Sequence, residues 1–137
     1  MTIHIVYWSG TGNTEAMAGF IREGAEGAGA TVALRHVDKA DVDFALQCDV
    51  LALGCPSMGD EVLEESDFEP FVAAIEGSMS GRKLALFGSY GWGDGAWMRD
   101  WSERMKKAGA VLVAESLIVN EVPEGDECKA FGAALAK

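Results

Sequence analysis

The chain has 137 residues, 49% of them hydrophobic, and a formal net charge of −11. That is enough for one compact unit over 1–137 with its own core, and too little to suggest two. So acidic a chain argues against DNA or RNA as partner, because their phosphates are held by Lys and Arg, and it disfavours anionic membranes for the same reason.

No stretch approaches the roughly 20 apolar residues of a membrane span, and "MTIHIVYW" has no cationic leader. A soluble, cytoplasmic protein is expected. Cys48, Cys55 and Cys128 are odd in number and lack a CxxC pair or a neighbouring His. They read as free thiols rather than a disulfide framework, a zinc site or an iron-sulfur cluster.

In chain order, residues 2–8 form an apolar run rich in β-branched and aromatic residues, and 13–28 switch to helical spacing with Ala16, Met17, Phe20 and Ile21 inward. A strand at 31–37, a short helix capped by Asp41 and a buried strand at 49–54 follow. After a loop at 55–66 come a helix at 68–79 that tolerates Pro70 in its first turn, and a strand at 82–88. The loop 89–95 leads to a helix at 96–108, with Trp97, Met98, Trp101 and Met105 at core spacing, then a fifth strand at 110–119 and a last helix at 126–136; Trp8, at the end of the first strand, also reads as structural. Strictly alternating strands and helices predict an α/β fold, a parallel sheet covered on both faces. Ligands of such sheets lie beyond the carboxyl ends of the strands, where the strand order reverses. The loops 9–14, 54–61 and 89–95 each follow a strand and belong at that end.

"SGTGNT" (9–14) offers two glycines, three hydroxyls and an amide before a helix, with no Lys or Arg. A helix N-terminus carries unpaired N–H groups and about half a positive charge, so it can hold an anion without a basic side chain. Gly10 and Gly12 allow the backbone to curl, and Ser9, Thr11, Asn13 and Thr14 can donate. A plain capped turn uses the same residue types. Asn13 stands where a Walker A loop needs Lys, which argues against ATP or GTP hydrolysis. Glu15 stands where a dinucleotide fingerprint needs its third glycine, although Asp38 could imitate the ribose-binding acid, so a nicotinamide domain stays open. Cys55 has no following Arg to make a thiol phosphatase loop. A terminal phosphate monoester fits best.

Three segments, "YWSGTGNTEAM", "GCPSMGDEVLEES" and "FGSYGWGDG", together resemble the short-chain flavodoxins over essentially the whole chain. The resemblance implies a three-layer doubly wound fold, a five-stranded parallel sheet in the order 2-1-3-4-5, and non-covalently bound FMN. It implies that Ser9, Thr11, Gly12, Asn13 and Thr14 surround the phosphate. It implies that Met58 and Trp92 lie on the two faces of the ring, that the Gly59 carbonyl turns to flavin N5, and that Glu61 accepts from N3. Gly91 and Gly93 fall at the N1 and O2 edge, and Ser89 near the phosphate or ribityl. Gly10, Pro56, Ser57, Asp60 and Tyr90 complete the expected cofactor site. Where some relatives carry Ser, this chain has Pro56, so Ser57 replaces that donor or one is lost.

No catalytic set is found: His4 and His36 fall in strands with no nucleophile paired to either. The expected function is a strongly reducing one-electron carrier, not an enzyme, shuttling between flavin semiquinone and hydroquinone; the resemblance implies that it can stand in for ferredoxin. "MGDE" (58–61) reads as a tight turn with Gly59 and Asp60 at its centre, and a positive φ at Gly59 would present its carbonyl to N5–H. Asp60, Glu61, Glu64, Glu65, Asp67 and Glu69, with no base among them, read either as solvated surface or as a docking rim for basic-faced redox proteins. A monomer is expected. An FMN-dependent NAD(P)H or quinone reductase on the same fold is the alternative, and a flavin-free phosphate-binding module is a third reading.

Overall fold

Strand and helix alternate as the hydrophobic periods require. The computed structural model describes residues 1–137: β1 Thr2–Tyr7, α1 Asn13–Gly27, β2 Thr31–His36, a 3-10 turn Val37–Lys39, α2 Val42–Leu46, β3 Val50–Gly54, α3 Phe68–Glu76, β4 Lys83–Tyr90, α4 Ala96–Lys107, β5 Val111–Leu112, β6 Leu117–Asn120 and α5 Gly125–Leu135. Every strand pair is parallel, in the order β2-β1-β3-β4-β5, with β6 also on β4.

The expected fifth strand is thus two strands sharing one position. Leu84 stands opposite Leu112, but Phe87 stands opposite Leu117. The outer chain therefore carries two residues more than the ladder can match, and after Val113 N, which still donates to Leu84 O at 3.0 Å, residues 114–116 leave the sheet as a bulge does. Ser116 is caught there by the Ser102 hydroxyl of α4, 3.1 Å away. β4 runs two residues beyond expectation because β6 keeps pairing with it up to Tyr90↔Asn120. Ser89 and Tyr90 are consequently strand residues. α3 ends early at Glu76, where Gly77 takes the C-cap; Asp41 caps α2 as expected, accepting from Phe44 N at 2.8 Å.

Side-chain alternation divides the core. Ile3, Ile5 and Tyr7 face α1 and α5, where Met17, Ile21, Cys128 and Leu135 meet them. Val6, Leu51, Leu53 and Leu86 face the other way, toward Phe68, Ile75, Trp97, Trp101 and Met105. Each such aliphatic side chain contributes about 1.5–3 kcal/mol by leaving water. The inward stripe of α1 takes Ala18 where Ala16 was expected, since Ala16 is exposed. α1 and α5 approach so closely that neither Gly24 nor Gly132 has room for a Cβ. No helix is long and apolar enough to cross a membrane.

Candidate functional site

The segments after β1, β3 and β4 leave the carboxyl edge of the sheet side by side. They enclose a cavity of about 220 Å³ lined by Trp8, Gly10, Thr11 and Asn13, by Pro56 and Ser57, by Ser89, Tyr90 and Gly91, and by Glu121. No Lys or Arg is in this lining. A larger open groove of about 790 Å³ runs between α4 and residues 112–118, and it contains none of the expected site residues.

Within the first loop, Gly12 occupies the N-cap of α1 with φ 100°, a left-handed conformation that favours glycine. Ser9 Oγ accepts from the N–H groups of Gly12 and Glu15, at 3.2 Å each. Thr14 is buried, its hydroxyl 2.9 Å from that of buried Ser89. Ser9 and Thr14 therefore hold the loop together from inside, instead of facing the cavity as Thr11 and Asn13 do. One hydroxyl proton of the Thr14–Ser89 pair stays free, because only one of the two can donate to the other. Gly10 must be small: its Cβ would stand 2.9 Å from the Trp8 ring. Trp8, read from sequence as structural, is a wall of the cavity.

The second loop departs from the expected two-residue turn. Met58 and Val62 exchange two backbone hydrogen bonds, both 2.9 Å, and close a turn of three residues, Gly59, Asp60 and Glu61. Gly59 has φ 49° and Glu61 φ 57°. A non-glycine residue in this region costs about 1–2 kcal/mol. Something must hold Glu61 there, and Asp94 N does so by donating to Glu61 Oε1 at 3.2 Å. Gly93, φ 87°, has no room for a Cβ beside that carboxylate. Glu61 thus ties the second loop to the third and keeps one carboxylate oxygen for another donor. Asp94 is itself held below the usual carboxylate range by its hydrogen bond to Arg99 Nη2 at 2.9 Å.

Met58 is half-buried and Trp92 is 61% exposed. An indole so exposed contributes little to the core, whereas Tyr90, next to it, packs on Trp97 with ring centroids 5.5 Å apart. Glu121 was missed from sequence. It follows β6, donates its N–H to Tyr90 O at 2.8 Å, and has φ 58°. Nothing in its local composition marks it; only its place at a strand end does.

The acidic rim needs correction. Glu64 is 7% exposed: its carboxylate accepts from the N–H groups of Ser66, Asp67 and Phe68 at 2.8, 2.8 and 2.9 Å. Burial alone would raise its pKa, but those donors outweigh it and the group lies below its ordinary range. Glu69 accepts from Arg104 Nη1 and Nη2 at 2.6 and 2.7 Å, and Arg104 also binds Glu76. A base thus neutralises what sequence proximity left bare. Asp60, Glu65 and Asp67 remain exposed, and Glu61 is half-buried. Cys55, fully buried, has its thiol pushed up to about 12 by burial and is no nucleophile. His4 is buried with Nδ1 2.7 Å from Phe44 O, and His36 Nδ1 lies 2.8 Å from Asp38 Oδ1. Neither meets a nucleophile.

This donor set fits a phosphate monoester: hydroxyls, amides and a helix start, converging without a cation. An exposed indole on one neighbouring loop and a thioether on another are polarizable surfaces suited to a flat ring. The flavodoxin family model matches residues 5–132. A flavodoxin of Clostridium beijerinckii is 54% identical, the match covering 96% of this chain and 97% of that one. A flavodoxin of Megasphaera elsdenii is 48% identical, with 98% of each covered. The solution structure of the two-electron reduced Megasphaera elsdenii flavodoxin superposes with a TM-score of 0.92 at 47% identity, over 98% of each chain. The chain belongs to the flavodoxin family and is an electron-transfer protein that carries its electrons on FMN and passes them to redox partners, not an enzyme.

Proposed function

We propose that residues 1–137 act as a single unit that holds FMN across the three loops and works as a low-potential one-electron carrier, able to stand in for ferredoxin. The observation that carries this reading is the convergence of three strand-end loops on one cation-free cavity. Bound FMN supplies the redox chemistry, accepting and releasing electrons one at a time. Gly10, Thr11, Gly12 and Asn13, with Ser57 and one hydroxyl of the Thr14–Ser89 pair, hold the phosphate. Ser9 preorganises that loop, so donors are aimed before the ligand arrives. Pro56 contributes shape but no N–H, and Ser57 stands in for the donor it lacks.

Met58 and Trp92 cover the ring faces and exclude water, while Tyr90 backs the third loop. Gly91 and Gly93 bring backbone N–H groups to the N1 and O2 edge, and the free oxygen of Glu61 accepts from N3. Gly59, at φ 49°, would let its peptide turn so that its carbonyl accepts from the N5–H of bound flavin, which would favour the one-electron-reduced cofactor. Asp60 and Glu61 disfavour further negative charge nearby and lower the potential of the second step, whereas the charge of Asp94 is offset by Arg99 at 2.9 Å.

Stepwise anaerobic reduction of the FMN-titrated protein tests this. One FMN per chain and two well-separated one-electron steps are expected, and a single two-electron step would refute the reading. The covered ring faces argue against a nicotinamide or quinone reductase; rapid NAD(P)H oxidation by the purified protein alone would restore it.

Asp60, Glu65 and Asp67, with Glu61, form the surface that steers basic-faced redox proteins, more weakly as salt rises. Electron-transfer rates independent of ionic strength would leave them as ordinary solvated acids. A monomer suffices, since the three loops belong to one chain, and three free thiols suit a reducing compartment such as the cytoplasm.

A further inference from the structure

The turn at 58–62 is closed twice. The inner closure is the Met58–Val62 pair. The outer one lies where Glu64 N donates to Cys55 Sγ at 3.4 Å, and Cys55 directly follows β3. Sulfur is a weak acceptor, so this bond alone cannot fix the segment. The side chain supplies the rest. Glu64 takes the Ser66, Asp67 and Phe68 N–H groups on its two carboxylate oxygens, and its own carbonyl accepts from Glu69 N at 2.8 Å. The Asp67, Phe68 and Glu69 N–H groups are donors that the start of α3 leaves unpaired, and Ser66 stands just before its N-cap. Asp67, at the N-cap, makes no side-chain cap of its own. α3 is in turn seated by Phe68, Val72 and Ile75, all fully buried.

We propose that Glu64 is the positioning residue of the 58–61 turn, tying its outer end to α3 so that the Gly59 peptide can reorient while Met58 and Val62 stay in place. The inference rests on the role given above to Gly59. Reorienting one peptide is useful only if its neighbours hold still; otherwise the hydrogen bond gained at the flavin is spread over a moving loop and stabilises less. A carboxylate suits the task because it is all acceptor, and three donors converge on it. Gln at this position would turn an NH2 group against an N–H.

The FMN-loaded full chain is compared as wild type, E64Q, E64A, G59T and D41A. D41A removes a helix cap, the Asp41 bond to Phe44 N, that lies outside the cavity and serves as a matched loss of stability. Three quantities are read: the two midpoint potentials, the thermal midpoint, and amide exchange at Met58 and Val62. E64Q and E64A are expected to bring the two midpoint potentials together by about 59 mV, a tenfold change in the ratio of the one-electron steps. They should also speed exchange of the Val62 amide about tenfold, whereas D41A should lower the thermal midpoint and move neither. If E64A does not fold, E64Q, of nearly the same shape, carries the comparison. Potentials or exchange unchanged in E64Q, or changed as much in D41A, would overturn the assignment of Glu64. G59T separates the two ideas: if it too leaves the potentials unmoved, the role of Gly59 falls, and if it moves them while E64Q does not, only that of Glu64 falls.

Discussion

The loop after β1 and the loop after β3 leave the same edge of the sheet, yet they are held in different ways. In the first, hydroxyls point inward: Ser9 satisfies two backbone donors and Thr14 is pinned to Ser89, so the cradle is formed in advance of any ligand. In the second, Gly59 and the strained Glu61 sit on a three-residue turn held at its two ends and, through Glu61, by Asp94 N of the third loop. A preorganised cradle converts contacts into affinity, whereas a turn with one soft peptide and fixed ends converts a change of ligand state into energy. On this reading the first loop sets how tightly the cofactor is bound, and the second sets its potentials.

That division can be broken by experiment. The largest effect should come from offering riboflavin in place of FMN. Losing about two charge-assisted hydrogen bonds removes roughly 4 kcal/mol, or about 10³-fold in affinity measured by flavin fluorescence quenching. Comparable affinities for the two would dissolve the contrast. Next, Gly59→Thr should cost about 1–2 kcal/mol of the separation between the two midpoint potentials, because Thr resists a positive φ, while affinity for the oxidised cofactor stays near wild type. A large loss of affinity instead would move binding into the second loop.

Acid titration of thermal stability sharpens the picture. Glu64 has a folded pKa below its unfolded value, so its contribution is fully present above the unfolded value, about 4.3, and is lost as pH falls through the folded value. Scans of wild type against E64Q should therefore converge as pH falls below about 4. Parallel curves throughout would remove Glu64 from the acid response. The smallest effect is expected from Arg104→Gln. The part-exposed pairs it breaks are worth about 1 kcal/mol or less, but it frees Glu69 and should steepen the salt dependence of electron transfer to a basic partner.

Alternating periodicity made the parallel sheet and its covering helices legible, because buried parallel strands and amphipathic helices leave strong local signals; the strand order came from the family resemblance of the three loops. The split fifth strand was not read, although Glu115 and Ser116 interrupt the apolar run "AVLVAESLIV" at the break, because register depends on its pairing with β4 and not on its own residues. Loop residues were legible by type and place, as with Thr11, Ser57 and Gly91 at the cavity. Their employment was not. Glu64 and Glu69 look like any other acids of "DEVLEESDFE", and only folding brings the N–H groups of α3 to one and Arg104 to the other. Trp8 was taken as structural and Glu121 overlooked for a similar reason: what makes them cavity walls is where two strands end, not what surrounds them in sequence.

The surplus pair of residues between β5 and β6 has a practical corollary. Because 114–116 already stand off the ladder, extra chain could be spliced there without shifting a single rung on either side. A reporter peptide grafted between Ala114 and Glu115 would stand well away from the three cavity loops and should leave the colour of the loaded protein untouched. The molecule thus offers a ready attachment point on its flank.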